Sequence, residues 1–267
     1  MLETARRLFR SRALLATLTV RELKARYRGS VLGFLWSLAN PLLLLAVYSF
    51  VFGFAFKPAR GEGVEPYALF LVCGLFPWVW VSGSLNEAVV SLATHSGLLR
   101  KAAFPAELLP MVAVAGNLVH FLLALPVLGG ALAVGKLMGY AIGGWSVLLL
   151  PLVVALELPL LAGLSLALAA LYVHFKDLKD ILANALSLLF FLTPILYPLG
   201  AIPFRPLVAV VKANPFTPFT LAYQQLLFAG EVPGPGLWLH MAAAAAVAWL
   251  VGASLFARLR ETLVEAV

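Results

Sequence analysis

The 267-residue sequence predicts an all-α integral membrane protein: six transmembrane helices, an N-terminal amphipathic interface helix, and short re-entrant half-helices between spans 5 and 6. Three observations lead there. Hydrophobic residues make up 63% of the chain, mean hydropathy is +0.99, and only 12% of residues are charged, about half the charged share of a soluble domain. Six apolar runs are long enough to cross a bilayer, near Val31–Phe56, Tyr67–Leu92, Leu108–Val134, Trp145–Val173, Ile181–Leu199 and Leu237–Phe256, since a crossing needs roughly 20 residues at 1.5 Å each. The basic residues lie between these runs, most densely in Arg21-Glu-Leu-Lys-Ala-Arg-Tyr-Arg28, directly before the first.

The chain divides at about residue 30. Within Leu2–Leu23, Leu2, Ala5, Phe9, Ala13, Ala16, Val20 and Leu23 share one helical stripe, and Arg6, Arg10, Arg21 and Lys24 lie off it. Residues 1–30 therefore read as a cytosolic amphipathic interface helix, and 31–267 as the membrane domain. The N-terminus is not a cleavable signal, because about thirty residues of mixed charge precede an apolar run too long for a signal core. Several runs exceed the minimum length, so tilt or kinks are expected. Pro41, Pro77, Pro126, Pro159 and Pro194 fall within spans, where neighbours must satisfy the freed carbonyls.

Charge asymmetry sets the orientation. With the N-terminus in the cytosol, fourteen of the 19 lysines and arginines are inside, and both termini are cytosolic. The cytosolic loop 94–107 carries Arg100, Lys101 and Phe104 and reads either as a plain connector or, more sharply, as a short helix presented to a soluble partner. The outer segment 200–236 is rich in Leu, Val, Phe and Pro. Leu207–Val211 and Leu221–Phe228 are too short to span and read as half-helices dipping into the outer leaflet. Asn214 and Thr217 are the cap or turn residues between them.

Several chemistries are set aside. The net charge of +7 is not a nucleic-acid face, since it lies between apolar runs. The one cysteine, Cys73, allows no disulfide within the chain and no CxxC site. Gly130-Ala-Leu-Ala-Val-Gly135-Lys136 spells a phosphate loop, but Leu137 stands where a magnesium-binding Ser or Thr belongs, and the run ends a span on the outer face. It reads as a small-residue packing stripe continued by Gly139. No cofactor or metal is expected in this chain, and no catalytic group. Asp177 and Asp180, each beside a lysine, resemble a salt-bridged helix start. Glu87, His120 and Glu157 are ionisable groups at membrane depth, where each costs about 2.5–3.5 kcal/mol and needs a reason. Glu87 is near a span end, His120 suits a hydrogen bond across helices, and Glu157 is the best interior functional candidate. An interfacial belt and core packing fit most of the many aromatic residues; the sharper reading is that a subset, with Trp36, Tyr48, Phe190, Phe191 and Tyr197 as candidates, lines a path for sugars, whose C–H faces rest on aromatic rings.

In chain order, the motifs resemble the type-2 ABC exporter permeases, and more narrowly the polysaccharide-export branch that handles O-antigen, capsule and teichoic acid. The stretch Arg21–Pro41 is similar to the family's opening signature. Leu98-Leu-Arg-Lys-Ala-Ala-Phe-Pro-Ala-Glu-Leu-Leu-Pro110 resembles its coupling-helix loop, and His174-Phe-Lys-Asp-Leu-Lys-Asp180 resembles the turn between its fourth and fifth spans. Phe190–Pro198 and Asn214-Pro-Phe-Thr-Pro218 resemble its outer-gate region. Two positions differ: Lys176 and Gln224 stand where arginine is common. The resemblance implies a homodimer in the cytoplasmic (inner) membrane, with two copies of a separate ATPase that bind ATP and Mg. It implies docking of that ATPase at Arg21, Lys24, Leu98, Leu99, Arg100, Lys101 and Phe104. The outer gate would comprise Asn214, Pro215, Thr217, Tyr223 and Gln224, and a lipid-linked glycan would pass between protomers. The competing readings are a type-2 exporter of drugs or lipids, an intramembrane enzyme acting on lipid-linked sugars, and a structural or sensor protein.

Overall fold

A computed structural model describes residues 2–51, 64–99 and 104–266. Among these the chain is helical with no strands: α1 Leu2–Arg10, α2 Arg12–Arg26, α3 Trp36–Phe50, α4 Tyr67–Thr94, α5 Ser96–Leu99, α6 Leu108–Leu137, α7 Leu150–His174, α8 Leu178–Leu192, α9 Arg205–Ala213, α10 Thr217–Tyr223 and α11 Pro235–Ala266. A 3-10 turn, Trp145–Leu149, leads into α7, and a π-turn, Gln224–Ala229, continues α10.

Four helices are long and apolar enough to cross a membrane: Tyr67–Thr94, Leu108–Leu137, Trp145–His174 and Pro235–Arg260. They match the second, third, fourth and sixth expected spans. The first expected run behaves differently at its start. Gly29 and Gly33 have φ of +80° and +51°, values an L side chain rarely adopts, so residues 27–35 turn and the helix begins at Trp36 rather than Val31. Residues 52–56 of that run lie outside the described residues.

The fifth run is also shorter than expected. Helix α8 ends at Leu192, not Leu199, because Pro194 disfavours helical geometry at Thr193, which is extended (φ −95°, ψ 135°). Pro194 is thus a helix terminator, whereas Pro41, Pro77, Pro126 and Pro159 do lie inside helices.

Helix α4 is the axis of the fold. Its apolar window is 78% buried, against 22% for α6 and 28% for α11. A helix apolar all round belongs in the interior, and α3, α6, α7, α8 and α10 pack around this one. The outer helices keep a face of exposed leucine and valine, among them Leu122, Val134, Leu152, Leu239, Val247 and Val251, as contact with lipid requires.

The closest helix pair is α7 with α11. A Cβ placed on Gly163 would overlap the Ala248 carbonyl, and one on Gly252 would overlap the Gly163 carbonyl. Small residues at such a crossing let backbones touch. The expected Gly130–Gly139 stripe is corrected here. Only Gly135 is crowded, with a Cβ there lying 2.7 Å from Leu69 and Ile142 side chains; Gly130 meets nothing within 4 Å, and Gly139 (φ +95°) lies beyond the helix end.

The N-terminal segment is two helices meeting at Ser11, reaching Arg26. Phe9, Ala13, Ala16 and Val20 of the apolar stripe are exposed, while Leu8, Leu15 and Thr19 face the protein body. These stripe residues are therefore exposed rather than packed on the body.

Candidate functional site

The segment after α8 folds into a helical hairpin against α4 and α7. Asn214 makes its corner. Its side chain donates Nδ2–H to Thr193 Oγ1 (2.8 Å), and its Oδ1 accepts the Phe216 amide (3.0 Å). Thr217 Oγ1 donates to the Val211 carbonyl (2.6 Å), closing α9 against α10. Both residues thus act at the turn, as their short polar side chains suit. The non-helical stretch after Leu192 is satisfied by side chains. Gln224 Nε2 donates to Pro194 O (2.9 Å), the Tyr67 hydroxyl donates to Leu196 O, and the Tyr197 hydroxyl donates to Phe191 O (2.8 Å). Irregular backbone at membrane depth survives where the protein itself supplies such partners.

The base of the hairpin is locked to the connection between α6 and α7. Gly143 N donates to Phe228 O (2.8 Å), Ser146 Oγ donates to Leu226 O (3.0 Å), and Gly230 turns with φ +71° against Gly143 and Gly144.

From this hairpin a buried chain runs inward. The Tyr223 hydroxyl donates to Glu157 Oε2 at 2.6 Å, both groups being sealed from solvent. The Tyr223 ring meets Phe121 edge-on at 5.8 Å, and Phe121 stacks on Trp80 at 5.1 Å and 11°. Such pairs add about 0.5–1.5 kcal/mol beyond burial.

Trp80 and Phe121 form the inner wall of a cavity of about 430 Å³ between α3, α4 and α6. At its mouth is a polar cluster that ties the end of α2 to the spans. Arg26 Nη2 donates to Glu87 Oε2 (2.6 Å), which also accepts Asn117 Nδ2 (2.8 Å). Arg26 Nη1 lies 3.4 Å from His120 Nδ1. A guanidinium only donates, so Nδ1 accepts and the imidazole proton sits on Nε2. That nitrogen then donates to the Tyr27 oxygen (2.8 Å), leaving the Tyr27 hydroxyl proton for Ser37 Oγ (2.8 Å). The network joins α2, α3, α4 and α6. Nearby, His95 Nε2 is 3.9 Å from Glu22 Oε2, linking α2 to the end of α4.

The expected path residues separate into two places. Trp36 lines the cavity. Phe190, Phe191 and Tyr197 gather at the end of α8, where Phe190 meets Phe191 at 5.3 Å and Trp78 at 6.1 Å, and Trp78 meets Phe216 of the hairpin at 5.7 Å. Tyr48 packs half-buried on α3. Of the gate candidates, Asn214, Thr217, Tyr223 and Gln224 are buried and Pro215 half-buried. Of the docking candidates, Arg21 and Lys24 are exposed on α2, Leu98 and Phe104 are half-buried, and Leu99 is buried. Arg100 and Lys101 lie outside the described residues. Among the described residues, the expected ion pairs at the start of α8 do not form. Lys176 instead lies over the Tyr172 ring at 4.9 Å, a cation–π contact that leaves the adjacent aspartates to water. No group of metal-ligating side chains occurs among the described residues.

Sequence reasoning missed that Arg26, Tyr27 and Asn117 partner the half-buried ionisable groups Glu87 and His120. The signal was available: an ionisable group in a span demands a partner, and Arg26 and Tyr27 stand immediately before the first span. Their pairing distance of 61 to 94 residues hid it.

Residues 13–228 match the family described as ABC-2 type transporter. The chain is 35% identical, over the whole of both chains, to a Myxococcus xanthus protein named O-antigen export system permease protein RfbA. It is 31% identical to a Klebsiella pneumoniae protein of the same name, over 81% of each. It is 25% identical to the Escherichia coli polysialic acid transport protein KpsM, over 74% of this chain and 78% of that one.

Proposed function

The chain belongs to the ABC-2 type transporter membrane family, and from that premise we propose that it is the permease subunit of an exporter that carries a lipid-linked, O-antigen-like polysaccharide across the cytoplasmic membrane. One observation carries the substrate class: identity of 35% along the full length of both chains to an O-antigen export permease. The work of ATP hydrolysis falls to a separate cytosolic subunit. In support, Gly130–Lys136 lies wholly within α6, and a continuous helix turns its amides along its own axis rather than around a phosphate.

In this reading two copies of the chain assemble with two ATPase subunits. Six spans cross the inner membrane with both termini cytosolic, α3 and α8 completing the four long helices. Positive charge density before α3 supports that orientation. Exposed Arg21 and Lys24, together with loop 94–107, form the docking surface for the ATPase, and the Glu22–His95 contact holds the two parts together. The hairpin from α9 to Ala229 shapes the outer exit, with Asn214 and Thr217 fixing its corner and Tyr223 and Gln224 fixing it to the body. The aromatic residues Trp36, Tyr48, Phe190, Phe191 and Tyr197 line the route of the glycan.

The test is ATP hydrolysis by the chain in lipid vesicles, first alone and then with its cognate ATPase subunit. Hydrolysis only in the complex, altered by lipid-linked glycan, is expected. Hydrolysis by the chain alone would overturn the division of labour, and a complex indifferent to glycan would overturn the substrate class.

A further inference from the structure

The cavity between α3, α4 and α6 is chemically unlike a phosphate site. Its volume of about 430 Å³ falls in the range that small-molecule sites occupy, roughly 300–1,000 Å³. Among the described residues lining it, the one cation is Arg26, and Glu87 already holds that guanidinium at 2.6 Å. A phosphate entering there would displace a carboxylate that then stands beside it and repels it. The remaining polar groups are neutral: hydroxyls, amides and an imidazole. Two of them make no hydrogen bond to the protein among the described residues, the amide of Asn40, an exposed residue on the cavity's lining, and the hydroxyl of half-buried Ser30, although Tyr27, Ser37, His120 and Asn117 around them are all engaged. Broad apolar surfaces line the same cavity. The Trp36 indole is 37% exposed at the rim, and the stacked Trp80–Phe121 pair closes the depth.

A ligand that fits must bear several uncharged hydroxyls on its edge and a flat C–H face. We propose that this cavity within a single protomer is a carbohydrate subsite that takes a neutral sugar ring, its hydroxyls on Asn40 and Ser30 and its C–H face on aromatic rings. The proposal rests on the export reading above and adds a holding point on one side of α3. The subsite also has a route to the hairpin. Its inner wall, Trp80 and Phe121, is in ring contact with Tyr223, and Tyr223 is bonded to Glu157. A sugar ring pressed against that wall would bear on the same side chain that anchors the hairpin.

The experiment uses the permease assembled with its ATPase in lipid vesicles, and an octyl glucoside bearing a photoreactive diazirine on the sugar. Adducts are expected on residues 30–44 and 117–124. Excess octyl glucoside should suppress them and excess octylphosphocholine should not, which separates sugar recognition from capture of any single-chain amphiphile. Asn40→Leu should lower labelling about tenfold, the equivalent of one hydrogen bond of ~1.4 kcal/mol, and Asn40→Gln should retain most of it. Ser30→Val serves as an independent second variant. Labelling spread over the lipid-facing helices, or suppressed equally by both competitors, would overturn the subsite. Surface glycan in a strain lacking the native permease is scored in parallel. Restored glycan with no specific labelling refutes the subsite and keeps the export reading. Specific labelling with no restored glycan keeps the subsite and refutes that reading.

Discussion

Helices α7 and α11 meet backbone to backbone, whereas α3 stands off α4 and α6 across a cavity. At the first contact, glycines remove every intervening side chain, and Gly163 and Gly252 each lie against the other helix's carbonyl groups. At the second, the gap is filled at its mouth by a polar network anchored on Arg26, Glu87 and His120. In lipid the hydrophobic effect does not favour one apolar helix contact over another, so tight packing and hydrogen bonds decide. The glycine seam has no slack and behaves as frame. The polar network joins the end of α2, which carries the proposed docking residues Arg21 and Lys24, to α3, α4 and α6.

Enlarging the seam should have the largest effect. Gly163→Leu forces α7 and α11 apart, at a cost above about 3 kcal/mol, beyond ordinary overpacking. A fluorescent fusion of this variant should lose its monodisperse peak on size-exclusion chromatography. A normal peak would show that the two helices are free to separate. Next in size is the bond that joins the frame to the hairpin. Tyr223→Phe removes one hydroxyl and strands the Glu157 carboxyl, a loss of about 1–3 kcal/mol. Adding Glu157→Leu should recover most of that loss, because replacing both partners by apolar groups is far cheaper than orphaning one. Thermal denaturation of both variants measures the difference, and no recovery would mean that the pair does more than satisfy itself.

On the cavity side the stability effect should be small and the functional effect large. The Arg26 and Glu87 side chains are 28% and 38% exposed, so Arg26→Gln should cost less than about 1 kcal/mol while reducing surface glycan. A parallel fall in both would reassign the cluster to the frame. Smallest of all is Gly130→Ala. Nothing lies within 4 Å of a Cβ there, so the helix should gain up to about 1 kcal/mol from backbone entropy alone. A loss of stability would show that Gly130 is packed after all.

The sequence reveals the part of this fold that depends on local composition. Four long apolar helices and the turn residues Asn214 and Thr217 follow from apolar length and corner chemistry, whereas the second short helix of segment 200–236 begins at Thr217 rather than at the expected Leu221, because Asn214 and Thr217 close the corner early. The shortfalls have local causes too. Gly29 and Gly33 delay α3, and Pro194 stops α8, because backbone preference overrides an apolar run that continues past it. Long-range partnership is another matter. Nothing near Glu87 says that Arg26 will reach it, and nothing near Gly163 says that Gly252 rather than Gly130 will be the tight partner. Glycine spacing along one helix carries little information when the decisive glycine is on another. The candidate site was legible as residue types, such as Trp36 and Tyr223, but not as the cavity and chain of rings that join them.

The stretch between Leu192 and Ile202 has a consequence for substitutions made far from it in sequence. It is unwound, yet the carbonyls of Pro194 and Leu196 accept from Gln224 and Tyr67, while Thr193 and Tyr197 donate back to Leu189 and Phe191 at the end of α8. Each of the two carbonyls within the break thus leans on a side chain contributed by another helix. Removing either side chain would bare an acceptor where no helical partner can replace it.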